Sequence, residues 1–233
     1  MKRLTKTIAV ASLAMATTVA MPVSAQVQGN IATVNAQGVI MGTNAFSTAY
    51  QQINTTYKLQ LDTIQQRNQE RQTLLQQLDT NNDRQVDDAE LQAAQGSATT
   101  QRIQQIEQEV TQLNNQVQAA RVYAIEQILI QYGPSLQEVI QQQQIQMIVS
   151  PESVIFAPEQ ANITGQVVTV LNTKVSAVNI VPPQDWQPAR ESLALFQQVS
   201  QILQALAIQQ AQQQAAQQQQ QAAQGNDQAP TGR

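Results

Sequence analysis

The chain contains no histidine and no cysteine. The first absence removes the side chain most often used as a general base and as a transition-metal ligand near neutral pH. The second removes any thiol nucleophile, disulfide or thiolate metal site. Aromatic residues make up 3% of the chain and charged residues 12%. A length of 233 residues allows one or two domains, but so few aromatics argue against one large core. What fills the chain instead is glutamine, about a fifth of all residues. A glutamine-rich, aromatic-poor chain with long periodic runs points to elongated helices and not to a globule. No carboxylate pair or Ser/Lys arrangement stands above background, so no catalytic residue and no enzymatic activity are expected.

Charge asymmetry begins at the N-terminus. Lys2, Arg3 and Lys6 precede an apolar stretch from Ile8 to Met21, and "VSA" at Val23–Ala25 has the small residues of a cleavage site. Residues 1–25 therefore read as a secretory signal peptide, cut before Gln26, too short and wrongly flanked for a stable span. No later segment reaches the roughly 18 consecutive apolar residues of a spanning helix, so stable membrane insertion is not expected. Loss of the signal leaves 9 basic against 16 acidic residues, about −7 where the full chain has −4. An acidic exported chain is a poor nucleic-acid binder.

Residues 26–43 read as the first strand of a small body, because "IATVNAQGVI" (Ile31–Ile40) begins with alternating apolar and small residues. From Asn44 the period changes. Phe46, Tyr50, Ile53, Tyr57, Leu61, Ile64, Asn68, Arg71, Leu75 and Leu78 follow at spacings of three and four. This is a heptad seam with one extra step, a stutter, at Tyr57 to Leu61. Asn68 and Arg71 are polar seam positions of the kind that fix register at a cost in stability. Asn44–Leu78 would make a rod on the order of 50 Å long at about 1.5 Å per residue. A second seam, with Ser97 or Thr99 as N-cap, runs Ile103, Ile106, Val110, Leu113, Val117, Ala120 and Ala124. It continues through Ile128, Leu129, Leu136, Val139 and Ile140, with a kink or break expected at Pro134. Two such segments joined by a short loop predict an antiparallel helical hairpin over 44–145, neither leg of which could stand alone in water.

Residues 146–180 read as a strand pair and a helix: β-branched runs at Met147–Val149 and Val154–Phe156 flank "SPES", and Asn162 or Thr164 caps the helix that follows. So few strands cannot close a sheet alone, which predicts completion by other copies of the chain. A Pro-rich break and an amphipathic helix (Leu193, Phe196, Val199, Leu203, Leu206) occupy 181–208, with Trp186 as a local anchor beside Pro188. The Gln/Ala-rich remainder, 209–233, reads as a disordered tail, helical at most near Gln209.

The hairpin tip, "LDTNNDRQVDDAEL", carries a candidate metal site. Calcium takes six to eight hard oxygen ligands, which an EF-hand supplies from positions 1, 3, 5, 7, 9 and 12 of one loop. Asp79, Asn81, Asp83, Gln85 (through its carbonyl), Asp87 and Glu90 fall at those positions. Position 6, where the sharp turn wants Gly, is Arg84, and a positive φ there costs a non-Gly residue about 1 kcal/mol or more. The expectation is weak calcium binding, about 10⁻⁴ to 10⁻³ M, at a lone loop that stiffens the tip. The alternative is an acidic turn that is acidic because it is solvated. No cofactor is required in either case.

The order of these parts resembles the Skp/OmpH family of periplasmic chaperones. The resemblance is carried by the signal peptide, "IATVNAQGVI", the long hairpin, the returning "ILIQYGPSLQEVIQQQQ" and the paired "IQMIVSPESVIFAPEQANITGQVVTVLN", and it spans about Asn30 to Asn172. It implies a mostly α fold with a small β body: a homotrimer in which strands from three chains form the body and three hairpins project as tentacles. It further implies an ATP-independent periplasmic holdase that keeps unfolded outer-membrane β-barrel proteins from aggregating. The departure from the family is in charge. Its well-known members have basic tentacles, whereas this mature chain is acidic and its helices present uncharged glutamine, a surface for many weak, non-directional contacts. The segment from Val181 onward has no counterpart in the short members. Two other functions remain open on sequence: a calcium-binding envelope regulator using 79–90, and a structural coiled-coil linker between envelope layers.

Overall fold

The computed structural model describes residues 30–81 and 83–226. The expected signal peptide and the last residues of the tail lie outside the described residues. The elements in chain order are β1 (Asn30–Thr33), α1 (Ala36–Met41), α2 (Asn44–Thr56), α3 (Lys58–Leu78), α4 (Asp88–Ala93), α5 (Ala98–Gln143), β2 (Ile145–Val149), α6 (Thr164–Lys174) and α7 (Arg190–Asn226), with short 3₁₀ turns at Pro151–Ser153 and Glu159–Ala161.

The first strand is shorter than the sequence suggested. It ends at Thr33 because Asn35 caps a helix: its Oδ1 accepts from Gly38 N at 2.7 Å. A Cβ on Gly38 would sit 3.2 Å from that same Oδ1, so glycine allows the cap to close. Thr43 then caps α2, accepting from Phe46 N and donating to Ile40 O, and it is buried with those bonds made. Helix α6 fastens both helix starts from the side. Thr164 Oγ1 accepts from Asn35 N at 3.0 Å, and Asn172 Oδ1 accepts from Asn44 N at 2.9 Å.

The rod from Asn44 to Leu78 is interrupted at Tyr57 (φ −98°, ψ 19°), between α2 and α3. That is where the heptad pattern takes its extra step, so the stutter is discharged as a break in the helix. The returning leg has the opposite character. Ser97 Oγ accepts from Thr100 N, and α5 then runs 46 residues, about 70 Å at 1.5 Å per residue. The break expected at Pro134 does not occur; α5 continues through it. Gly133 and Pro134 lie on the exposed face, where water can take the carbonyl that Pro134 leaves without a donor. The next residue, Ser135, is buried and donates to Gln131 O at 2.7 Å. The helix ends at Gln144, whose left-handed φ of 54° turns the chain straight into β2.

β1 and β2 are parallel, with Ile31 opposite Met147, Ala32 opposite Ile148 and Thr33 opposite Val149. The second apolar run, Val154–Phe156, is not a strand. Pro151 and Pro158 bracket it with turns and remove backbone donors. The third piece of backbone at the sheet is Asn162, in a single bridge to Thr33, with Ile163 N donating to Thr33 O at 2.9 Å. Asn162 also receives Thr164 N on its side chain at the start of α6.

Two apolar clusters hold these parts. One gathers Val39, Ile40 and Phe46 with Ile125, Ile128 and Val139 of α5, Val167 and Leu171 of α6, and Leu195 and Val199 of α7. The second, up the hairpin, packs Ala49 and Ile53 against Val117, Ala120 and Ala124. Tyr50 packs against the first cluster as expected of a seam residue, its ring 4.1 Å from that of Phe46. Burial pushes its hydroxyl up to about 12, against the lowering effect of Arg121. In α7 the residues turned to the core are Leu195 and Val199, with Phe196 and Leu203 half-buried beside them. Of the face the spacing suggested, Phe196, Val199 and Leu203 face the core, whereas Leu193 and Leu206 are exposed and Leu195 is added. Helix α7 also continues through the Gln/Ala run to Asn226, where the composition suggested a disordered tail from 209.

Candidate functional site

Three regions of the chain carry recognisable chemistry: the shaft of the hairpin, its tip and the apolar face of the body.

On the shaft, two arginines and two glutamates join the legs. Glu70 of α3 is held by Arg102 of α5 (Nε to Oε1, 2.7 Å; Nη2 to Oε2, 3.1 Å) and by Arg67 one turn earlier (Nη1 to Oε2, 2.7 Å). Glu109 of α5 closes the square, 2.6 Å from Arg67 Nε, off the N–H direction, and 3.4 Å from Arg102 Nη1. Arg102 first and Arg67 second hold the Glu70 carboxyl below the ordinary carboxylate range. The quartet is half-exposed, so it sets register between the legs more than it adds stability. The heptad reading placed Asn68 and Arg71 as the register-fixing positions and missed this square. The available signal was the Arg67–Glu70 pair at i, i+3 and, on the other leg, Arg102 and Glu109 two turns apart.

At the tip, the six candidate calcium ligands are distributed as follows. Asp79 uses both oxygens on backbone N–H groups, Oδ1 from Asp83 and Oδ2 from Arg84. Asn81 Oδ1 accepts from Asp83 N, and Asp83 Oδ1 accepts from Gln85 N, so Gln85 meets the loop through its amide. Asp87 caps α4 by accepting from Glu90 N, and the Glu90 carboxylate in turn accepts from Asp87 N, a reciprocal capping box. Glu90 is buried and its Oε1 also accepts from Thr80 N, Thr80 Oγ1 and Asn81 N. The Thr80 hydroxyl leads the donors that hold its pKa below the ordinary value, against desolvation. Arg84 sits at φ 69°, the left-handed turn that a Gly normally makes at this place. The loop is thus tied across from Asp79 and Glu90 to its own backbone. Among the described residues, no three Asp or Glu side chains converge as a metal site.

The body presents apolar surface. Ile31 and Met147, register partners in the sheet, are both about half exposed (46% and 48%), and Ile155 and Phe156 are almost fully so (105% and 88%). Ile31, Thr33 and Val154–Phe156 line one hollow of about 610 Å³. Among the described residues the sheet has two strands, and the pairing at its backbone edges is the one bridge at Asn162.

No helix among the described residues is long and apolar enough to cross a membrane. Among solved structures, the chain is similar to an OmpH-like outer membrane chaperone from Caulobacter crescentus CB15, at 15% identity over 68% of this chain and 94% of that one, with a TM-score of 0.38. No curated protein matches the chain. The model of the OmpH-like outer membrane protein family matches residues 30–171, which begin at β1 and end within α6, and the chain belongs to that family.

Proposed function

We propose that the chain is an ATP-independent periplasmic holdase, exported by the signal peptide read at residues 1–25, that binds unfolded outer-membrane β-barrel proteins and prevents their aggregation. The observation that carries this reading is the family match across β1, the whole hairpin and α6. The hairpin itself adds support: long legs with one narrow apolar seam and a neutral glutamine surface suit many weak contacts that release. The unit is a homotrimer in this reading. Two parallel strands with an apolar face at Ile31 and Met147, flanked by Ile155 and Phe156, are too small a sheet to be stable alone. Three copies together would cover that face.

The test is light scattering. A urea-unfolded outer-membrane β-barrel protein is diluted into buffer with the mature chain, in parallel with calcium and with chelator. Suppression of aggregation in both arms is the expected result. No suppression in either arm, from folded protein, would sink the reading.

One observation favours a second reading, calcium binding at 79–90: Arg84 takes the left-handed turn of an EF-hand loop despite its cost. In that reading Asp79 and Glu90 exchange backbone N–H groups for the ion, binding is weak, and suppression appears only in the calcium arm.

A further inference from the structure

Residues beyond the family match build a feature that the hairpin alone lacks. After α6 the chain crosses the hairpin root as a strap. Asn179 exchanges two hydrogen bonds with Gln127 of α5 (2.8 and 3.0 Å), and Tyr57, at the α2–α3 break, donates to Ile180 O. Trp186 then docks on α5: its Nε1 donates to Glu126 Oε1 at 2.9 Å and its ring meets Tyr123 edge-on at 5.2 Å. Ala189 N donates to Glu126 Oε2 at 2.9 Å, which sets the point where α7 begins.

Between α5, this strap and the first turns of α7 lies an open groove of about 540 Å³. Its floor is Val122, Pro182, Pro183, Trp186, Leu193 and Phe196. Its rim carries the side-chain amides of Asn115, Gln118, Gln184 and Gln197. No lining residue is ionisable, on a chain whose mature form carries a net charge of about −7. The groove has the size and the apolar floor of a ligand site. Its chemistry selects an uncharged occupant. The floor offers contact to a bulky apolar or aromatic side chain, and the amide rim offers both donors and acceptors, which match peptide N–H and C=O groups.

We propose that this groove seats a short, extended, uncharged stretch of an unfolded polypeptide, with one bulky apolar side chain against Trp186, Phe196 and Leu193. The proposal rests on the holdase reading for the origin of the polypeptide, and it assigns to the strap and α7 a capture site at the hairpin root. Discrimination is by charge: a carboxylate or ammonium in the groove would lose hydration with no opposite charge in the lining to offset the loss.

Trp186 is the only tryptophan of the chain, so the groove reports on itself. The full mature chain is titrated with a short, end-blocked peptide that alternates leucine or phenylalanine with threonine and glutamine. Two control peptides carry lysine or glutamate in place of the apolar residues. The expected result is a saturable blue shift of Trp186 emission with the apolar peptide only. Leu193→Gln, on the exposed side of α7, should weaken that binding about five- to tenfold, the loss expected for part of a leucine's burial, and leave the far-ultraviolet circular dichroism unchanged. Gln197→Glu should weaken it as well by placing a charge on the rim. Equal shifts with the charged peptides, or unchanged affinity in Leu193→Gln, would overturn the proposal. So would an emission shift that follows protein concentration without peptide, which would mean that a second copy occupies the groove. The two readings fail separately. Aggregation suppressed equally by wild type and Leu193→Gln, with silent Trp186 emission, removes the groove and leaves the holdase. A peptide response without suppression leaves the groove and removes the holdase.

Discussion

Arg102 of α5 grips Glu70 of α3 with a two-pronged guanidinium–carboxylate pair, Nε to Oε1 at 2.7 Å and Nη2 to Oε2 at 3.1 Å. This is the geometry that only arginine supplies, and it joins residues 32 positions apart in sequence. Because Glu70 is held below its usual value of 4.5, its pairing stabilises the hairpin above that value. The contribution is lost as pH falls through the lower folded-state value. Hydrogen exchange across α3 and the first half of α5 should therefore speed up as pH drops below about 4.5, after correction for the intrinsic rate, and the effect should shrink at high salt. Glu70→Gln should remove much of that dependence. An unchanged acid profile in the variant would show that the quartet does not hold the legs together.

The hairpin was legible because seam spacing survives any detail of packing: Phe46, Ile53, Ile103, Ile106 and Val117 are buried as the three-and-four pattern requires. The tip was legible in its turn, since Arg84 adopts the conformation that its position in the loop demands. The body was less so. Asn35 ended the strand early through a cap that a β-rich reading of "IATVNAQGVI" overlooked, and two prolines outweighed the β-branched run at Val154–Phe156. Pro134 reads as a breaker in the sequence and is not one in the fold, because its cost depends on whether the freed carbonyl meets water, and helix face is a tertiary fact. The groove beneath Trp186 has no sequence signature. It exists because Glu126, 60 residues away, accepts the indole N–H.

Arg84→Gly should stabilise the tip. The arginine occupies φ 69°, a region that costs a residue with a Cβ about 1 kcal/mol, and glycine adopts it freely. The expected outcome is slower hydrogen exchange of the Asp83, Arg84 and Gln85 amides, which are bonded to Asp79, Asn81 and Asp83. Calcium titration of the same variant should give tighter binding than wild type, if the second reading holds. Faster exchange at the tip would contradict the strain argument.

Ile155→Ser together with Phe156→Ser should dissociate the proposed trimer without unfolding the chain. Both side chains are exposed in the single chain, so the substitutions remove no internal packing. Sedimentation should report a smaller species with unchanged helical circular dichroism. A variant that keeps the mass of three chains would place the contact elsewhere than this face.

Ala120→Leu tests how closely the legs approach. Ala120 is fully buried and clusters with Ala49, Ile53 and Ala124, where small residues let two helices pack tightly. Added methylenes have no space there, and overpacking of this kind costs about 1 to 3 kcal/mol. The melting temperature should fall in the variant, whereas Gln118→Leu, on the exposed side of the same helix, should leave it nearly unchanged. Equal melting temperatures for the two would mean that the seam is loosely packed.

Glu126 decides where the strap and α7 sit, because one carboxylate receives both Trp186 Nε1–H and Ala189 N–H. Desolvation pushes its pKa up, but the donors led by Ala189 and Trp186 outweigh it and hold the group below the ordinary value. With the folded value depressed, the clamp is complete at neutral pH and is released as pH falls below about 4.5 through that lower value. Trp186 emission should therefore shift to the red over that acid range. Glu126→Gln keeps the shape but offers one acceptor oxygen where two donors arrive. Its emission should be red-shifted already at pH 7 and should lose the acid step. An acid step of full size in Glu126→Gln would assign the change to another carboxylate and release the strap from this anchor.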